Sequence, residues 1–260
     1  MTDSTSFDVL PLWALSAALF VLNLTLDEWG FRLGRLRGKQ AAREGENIVS
    51  TVVAAQLGLL AFLLAFCFGI VAQRADVRRN LMLDESNAIG TAYLRAAMLP
   101  EAQVTPVRDL LREYTDLRIQ GGAGHEIATV LTRSEQIHTQ LWNQAVTAAA
   151  ADPRSVPTGL FVDALNTVID LHSSRVMAAL RSRLPTAVWI VLFGVGFLSF
   201  FTIGYQNGLT APARSPAALA LALVFGLVLW LVADLVRPGE GLLRVNQASM
   251  IDLRKSMGSD

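Results

Sequence analysis

The sequence predicts an all-α integral membrane protein, with four transmembrane helices and a helical extramembrane bundle between the second and third spans. Three observations predict it. The run Ile48–Ala72 holds no charged residue, enough chain for one helix to cross a hydrocarbon core about 30 Å thick. Hydrophobic residues make up 52% of the 260 positions and the mean hydropathy is +0.41, too apolar for an ordinary soluble domain. Between spans two and three the apolar residues recur at helical spacing, and no run alternates with a period of two.

The elements follow in order. Span one is expected from about Phe7 to Leu26. It is read as a span and not as a cleaved secretory signal, because MTDSTSFD carries two aspartates and no lysine or arginine, whereas a signal needs a basic leading region. Span two is the uncharged run, and its helix is expected to continue through Gln73–Ala97, where no proline or turn cluster interrupts it. Thr105-Pro106 reads as a helix start before LLREYTDLRI. GGAG at 121–124 is a break, followed by a helix from about His125 to Ala151. DPRSVP at 152–157 is a second break, and a helix from about Gly159 to Leu184 leads to span three. That span runs from Thr186 to about Tyr205, and span four from about Ala217 to Val236. Pro185 and Pro216 suit first helical positions, and Ser215 suits an N-cap. Trp13, Trp29, Trp189, Tyr205 and Trp230 suit the interfacial belts. After Arg237 come the turn RPGEG and a short helix. The chain therefore divides into spans one and two (7–72), the bundle (73–185), spans three and four (186–236) and a tail (237–260).

Charge and motifs exclude several functions. The 22 basic residues balance 22 acidic ones, and residues 73–185 hold 12 of each, so nothing indicates nucleic acid. The single cysteine, Cys67, rules out a disulfide framework or a cysteine zinc site within one chain. His125, His138 and His172 lack the spacing of a metal helix, and no phosphate loop or nucleophile elbow is present. We expect no enzyme, cofactor or metal site. The histidines read as surface or bundle residues, and the carboxylates, spread among basic residues, as solvated helical faces. Asp234 reads as paired locally with Arg237. Orientation is divided: the basic loop after span one puts the bundle outside, while the arginines around the bundle and in the tail put it in the cytoplasm.

Span two is more than an anchor. Ala54, Gly58, Ala61, Ala65, Gly69 and Ala72 form one small-residue stripe, with Phe62 and Phe66 on a neighbouring face. Such a stripe serves close helix packing or leaves room for a conduit. Ala218, Ala222 and Gly226 give span four a packing signature. Glu44 and Glu46 either cap the start of span two or, in an oligomer, ring a pore mouth. Asn87, Gly90 and Thr91 share a small, polar helical face, which reads as bundle packing or as a wet vestibule wall.

The segments LLAFLLAF, RADVRR, LDESNAIGTAYLRAAMLP and LLREYTDLR, with DLVRPGEGLLRV in the tail, resemble the bacterial bestrophin-like membrane proteins. The resemblance covers most of 45–245. It implies kinship with oligomeric anion channels whose second membrane helix lines a pore with a phenylalanine-containing neck. The calcium clasp of bestrophins has no clear counterpart, since the tail offers only Glu240 and Asp252. The resulting expectation is a homo-oligomeric ion channel, multi-pass in a bacterial inner membrane, with the lipid bilayer and small ions as its partners. Thr51, Ala54, Ala55, Gly58, Phe62, Ala65, Phe66 and Gly69 would line the pore, Glu44 and Glu46 its mouth, and Asn87, Gly90 and Thr91 a vestibule. The alternative is a non-conducting membrane scaffold or sensor whose bundle binds a partner.

Overall fold

A computed structural model describes residues 12–37, 42–122, 127–180, 185–210, 216–236 and 247–258. Among them all regular structure is helical, in eight elements: α1 (Leu12–Leu36), α2 (Ala42–Ala96), α3 (Glu101–Gly122), α4 (Ile127–Ala151), α5 (Val156–Leu180), α6 (Thr186–Thr210), α7 (Pro216–Val236) and α8 (Ala248–Ser256). Three of the described helices are long and apolar enough to cross a membrane: α2 from Ile48, α6, and α7 from Leu219. The protein is thus a multi-pass membrane protein in character. Of the segment assigned to span one, 7–11 lie outside the described residues; from Leu12 it forms α1, which continues past Leu26 to Leu36 and carries Asp27, Glu28, Arg32 and Arg35 in its second half.

Local chemistry explains the boundaries. α2 runs for 55 residues because proline is absent until Pro100, just beyond a last turn closed by Leu99 N–H to Ala96 O at 3.2 Å. α3 begins at Glu101, earlier than Thr105-Pro106 suggests. Glu101 places an acid in its first turn, favourable to the helix dipole, and Pro106 is carried inside the helix at the loss of one backbone bond. Pro153 ends α4. Ser155 accepts the Thr158 N–H at 3.3 Å, capping α5, which therefore starts at Val156 and not near Gly159. Pro216 opens α7 as its N1 residue. His125, Ser215 and the RPGEG turn lie outside the described residues, as does Arg237, so the structure does not address its pairing with Asp234; the Asp234 side chain itself is buried.

The chain forms two compact units, Met1–Ala72 with Arg183–Leu243, and Gln73–Ser182 with Arg244–Asp260. In the first, Leu60 and Cys67 of α2 meet Leu192 and Phe200 of α6 and Ala222, Phe225 and Leu229 of α7. Thr202 of α6 donates to the Gln56 side-chain oxygen of α2. The closest approach is between α1 and α6. A Cβ at Gly30 would overlap the Phe201 carbonyl, one at Gly34 that of Tyr205, one at Gly204 that of Asp27 and one at Gly208 that of Phe31. The register advances in the same sense on both helices, so α1 and α6 run parallel, backbone against backbone.

In the second unit Ile89, Ala92 and Ala96 of α2 pack with Val107, Leu111 and Tyr114 of α3, Ile137 and Leu141 of α4, and Phe161, Leu165 and Val168 of α5. The short α8 closes on this core through Met250 and Met257. The Met257 carbonyl accepts from Tyr93 at 2.9 Å and from Arg112 at 3.0 Å, and Arg254 pairs with Asp116 at 2.8 Å.

Candidate functional site

The membrane part of α2 has two unlike faces. Val53, Leu60, Cys67 and Val71 are buried, at spacings of seven, seven and four. Thr51, Ala54, Ala55, Gly58, Phe62, Ala65, Phe66 and Gly69 are all exposed. At about 100° per residue these eight fall within an arc of about 120° opposite Leu60. A Cβ added at Gly58 or Gly69 would meet nothing within 4 Å. Among the described residues no helix of the same chain packs on Gly58 or Gly69, so these glycines are not spent on a contact with the described helices. Phe62 and Phe66, 66% and 56% exposed, stack with ring centroids 6.4 Å apart. The face carries no charge and its only polar side chain is the Thr51 hydroxyl.

The other nominated residues are distributed differently. The side chains of Glu44 and Glu46 lie outside the described residues. Asn87 and Thr91 are exposed, with Thr91 Oγ1 donating to the Asn87 carbonyl at 2.9 Å. Gly90 is turned elsewhere: a Cβ there would lie 3.1 Å from Leu253 of α8. Gly90 thus lies beside α8. In span four Ala222 is buried, but Gly226 meets nothing within 4 Å and instead opens an apolar groove with Trp13, Phe20 and Trp230.

Reading the carboxylates as solvated overlooks a buried polar centre in the bundle. Glu85 is fully buried. Its Oε1 accepts from Tyr114 at 2.5 Å and lies 3.3 Å from Arg118 Nε, and its Oε2 pairs with Arg175. The Tyr114 hydroxyl is 3.1 Å from His172 Nδ1. Since that hydroxyl donates to Glu85, it accepts from an Nδ1–H tautomer of His172. His138 packs on His172 edge to face at 4.8 Å. Burial pushes the Glu85 carboxyl up, but Arg118, Arg175 and the tyrosine hydrogen bond outweigh it and hold the pKa below the ordinary value. Burial, then the Glu85 charge, raises the Tyr114 phenol well above its usual range. Burial, then His172, lowers His138 to about 4. Burial, then Arg118, lowers His172.

The signal for this centre was present in the sequence. Glu85 falls on the apolar stripe Met82, Ile89, Ala92, Ala96, and His172 on the stripe Phe161, Leu165, Val168. A lone polar residue on an apolar stripe is buried with its stripe and must find partners there. No group of three or more histidine, cysteine or acidic side chains among the described residues could hold a metal ion.

No curated protein and no solved structure matches the chain. The uncovered α2 face and the α-helical, multi-pass architecture are accompanied by a family match that spans both units: the model for the Bestrophin-like domain matches residues 28–250, and the chain belongs to the bestrophin-like family.

Proposed function

We propose that the protein is a homo-oligomeric ion channel of a bacterial inner membrane, without enzymatic activity, in which α1 counts as a fourth span and the α2 helices of several copies surround the conduction axis. The observation that carries this reading is the uncovered face of α2. A membrane helix that turns small residues away from the described helices of its own chain lets neighbouring backbones approach closely, which suits copies arranged around an axis with Phe62 and Phe66 facing it. Phe62 and Phe66 form the constriction, which gates by dewetting. Thr51, Ala54, Ala55, Gly58, Ala65 and Gly69 line the wider levels, Glu44 and Glu46 ring the mouth, and Asn87 and Thr91 line the wall beyond. Family membership supports conduction, since the family takes its name from a group of channels.

A scaffold or sensor that does not conduct is the second reading. It is favoured by apolar side chains left exposed on the bundle, among them Leu94, Trp142, Val146 and Val156, which suit a partner surface.

Purified protein in liposomes distinguishes the two. The channel reading expects flux of small ions, and Phe62→Ala or Phe66→Ala is expected to raise it, because removing an aromatic ring lowers the hydration barrier. Glu46→Gln is expected to shift selectivity towards anions if the carboxylates ring the mouth. A correctly assembled protein that passes neither chloride nor potassium, with or without the phenylalanine substitutions, overturns the channel reading in favour of the scaffold.

A further inference from the structure

Each of four helices in the second unit sends polar side chains to one buried point: Glu85 from α2, Tyr114 and Arg118 from α3, His138 from α4, and His172 and Arg175 from α5. One carboxylate faces two guanidinium groups, so the centre already holds one unit of excess positive charge before either imidazole takes a proton. The two imidazole rings stand 4.8 Å apart at 87°, and the Tyr114 ring is 4.8 Å from His138. His138 Nε2 is buried without a hydrogen-bond partner among the described side chains, so a proton placed there meets no acceptor in the bundle. Glu135 of α4 also acts on the pair, favouring a proton on His172, but it ranks behind Arg118, Glu85 and Arg175.

We propose that the His138–His172 pair is an acid-sensitive latch for the bundle: with both rings neutral the four helices close over the cluster, and a proton on either ring adds a second uncompensated positive charge beside Arg118 and parts the helices. This latch does not depend on conduction and holds for a scaffold as well.

The direction follows from linkage. In the closed bundle burial and the neighbouring His172 and Arg118 hold His138 at about 4, against 6.5 for a solvated ring. The closed state therefore has its full advantage above pH 6.5 and loses it as pH falls towards 4. At pH 5 the loss amounts to roughly thirtyfold in the opening equilibrium for this one group. The Glu85 carboxyl is held below the ordinary carboxylate value by Arg118 and Arg175 against its burial, so as pH falls the imidazoles take protons before it does.

The test is hydrogen–deuterium exchange of the full chain in detergent micelles at pH 7.5 and pH 5, corrected for the intrinsic pH dependence of exchange. Peptides from 130–175 are expected to lose roughly thirtyfold in protection at pH 5, while α6 peptides keep theirs. The double variant His138→Gln, His172→Gln is expected to keep its protection at pH 5. If that variant is unprotected even at pH 7.5, selective labelling of the histidines in the wild type replaces it: by NMR, His138 and His172 are to titrate below the range of a solvated imidazole, with bundle exchange following the same midpoint. Unchanged protection of the wild type at pH 5, equal loss in wild type and double variant, or a histidine titration that leaves exchange unaffected would overturn the latch.

Discussion

Glu85 shows how a single residue acquires its importance from what surrounds it. Removing its charge while keeping its shape, Glu85→Gln, leaves Arg118 and Arg175 facing each other without a counter-charge. Breaking one partner of a buried ion pair costs about 3–5 kcal/mol, and Arg175, about a fifth exposed, brings the expected loss to the lower end. Thermal unfolding followed by circular dichroism, with limited proteolysis inside 127–180, should register an early loss of the bundle. The Arg133–Glu113 pair is the control. It too is a short contact, at 2.5 Å, but its side chains are 39% and 42% exposed, so water screens it, and Arg133→Ala is expected to cost less than about 1 kcal/mol. An equal effect of the two substitutions would show that burial does not set the strength of the Glu85 centre. At this scale the sequence marked Glu85 only by its position on an apolar stripe. Its partners come from helices 29 and 90 residues away, which no local pattern encodes.

At the scale of elements the glycines divide into two kinds. Gly30, Gly34, Gly204 and Gly208 form the α1–α6 crossing, where the obstructing atoms are backbone carbonyls and have no rotamer to change. Gly204→Leu is therefore expected to cost at least the about 1–3 kcal/mol typical of overpacking and to disrupt the first unit, seen as loss of a monodisperse peak in size-exclusion chromatography. Gly58→Leu meets nothing within its own chain and should leave the folded protomer intact. Two outcomes then separate the uses of its face: loss of the oligomer if copies pack there, or an intact oligomer with reduced flux if the face lines a lumen. Normal assembly with unchanged flux would remove Gly58 from both. The four-residue spacing of Gly30 with Gly34 and of Gly204 with Gly208 is as legible in the sequence as the stripe of α2, yet spacing alone does not say which stripe is met by a second backbone.

For the whole molecule, the open quantity is the number of crossings. Three helices meet the length and apolarity of a span, and the parallel alignment of α1 with α6 fits a fourth crossing in the same sense. An even count places both termini on the side of the bundle. Cysteines introduced at Gly122, Ser155 and Ser259 in a Cys67→Ala background are expected to react with an impermeant reagent from one side of sealed vesicles. Labelling of Ser259 from the side opposite Gly122 would mean that α6 or α7 does not cross, and would overturn the four-span count. This outcome does not depend on the divided charge pattern of the loops, which leaves the absolute orientation open.

By itself the sequence determined the helical class, the long uncharged run of α2, the break after Ala151, and the resemblance now matched over residues 28–250. These are local properties: hydropathy over one helix length, proline and glycine punctuation, and residue order. One boundary was misread even locally: α3 began at Glu101 and carried Pro106 inside it. Gly121 and Gly122, read as part of a break, lie inside α3. Tertiary structure alone decided which small-residue stripe is covered, which face of α2 is left free, that Gly90 lies beside α8, and that Glu85 is buried among two arginines, a tyrosine and two histidines. The physical reason is that burial and pairing belong to surfaces brought together from distant parts of the chain. A helix states its faces in its sequence, but what each face meets is settled only when the other helices arrive.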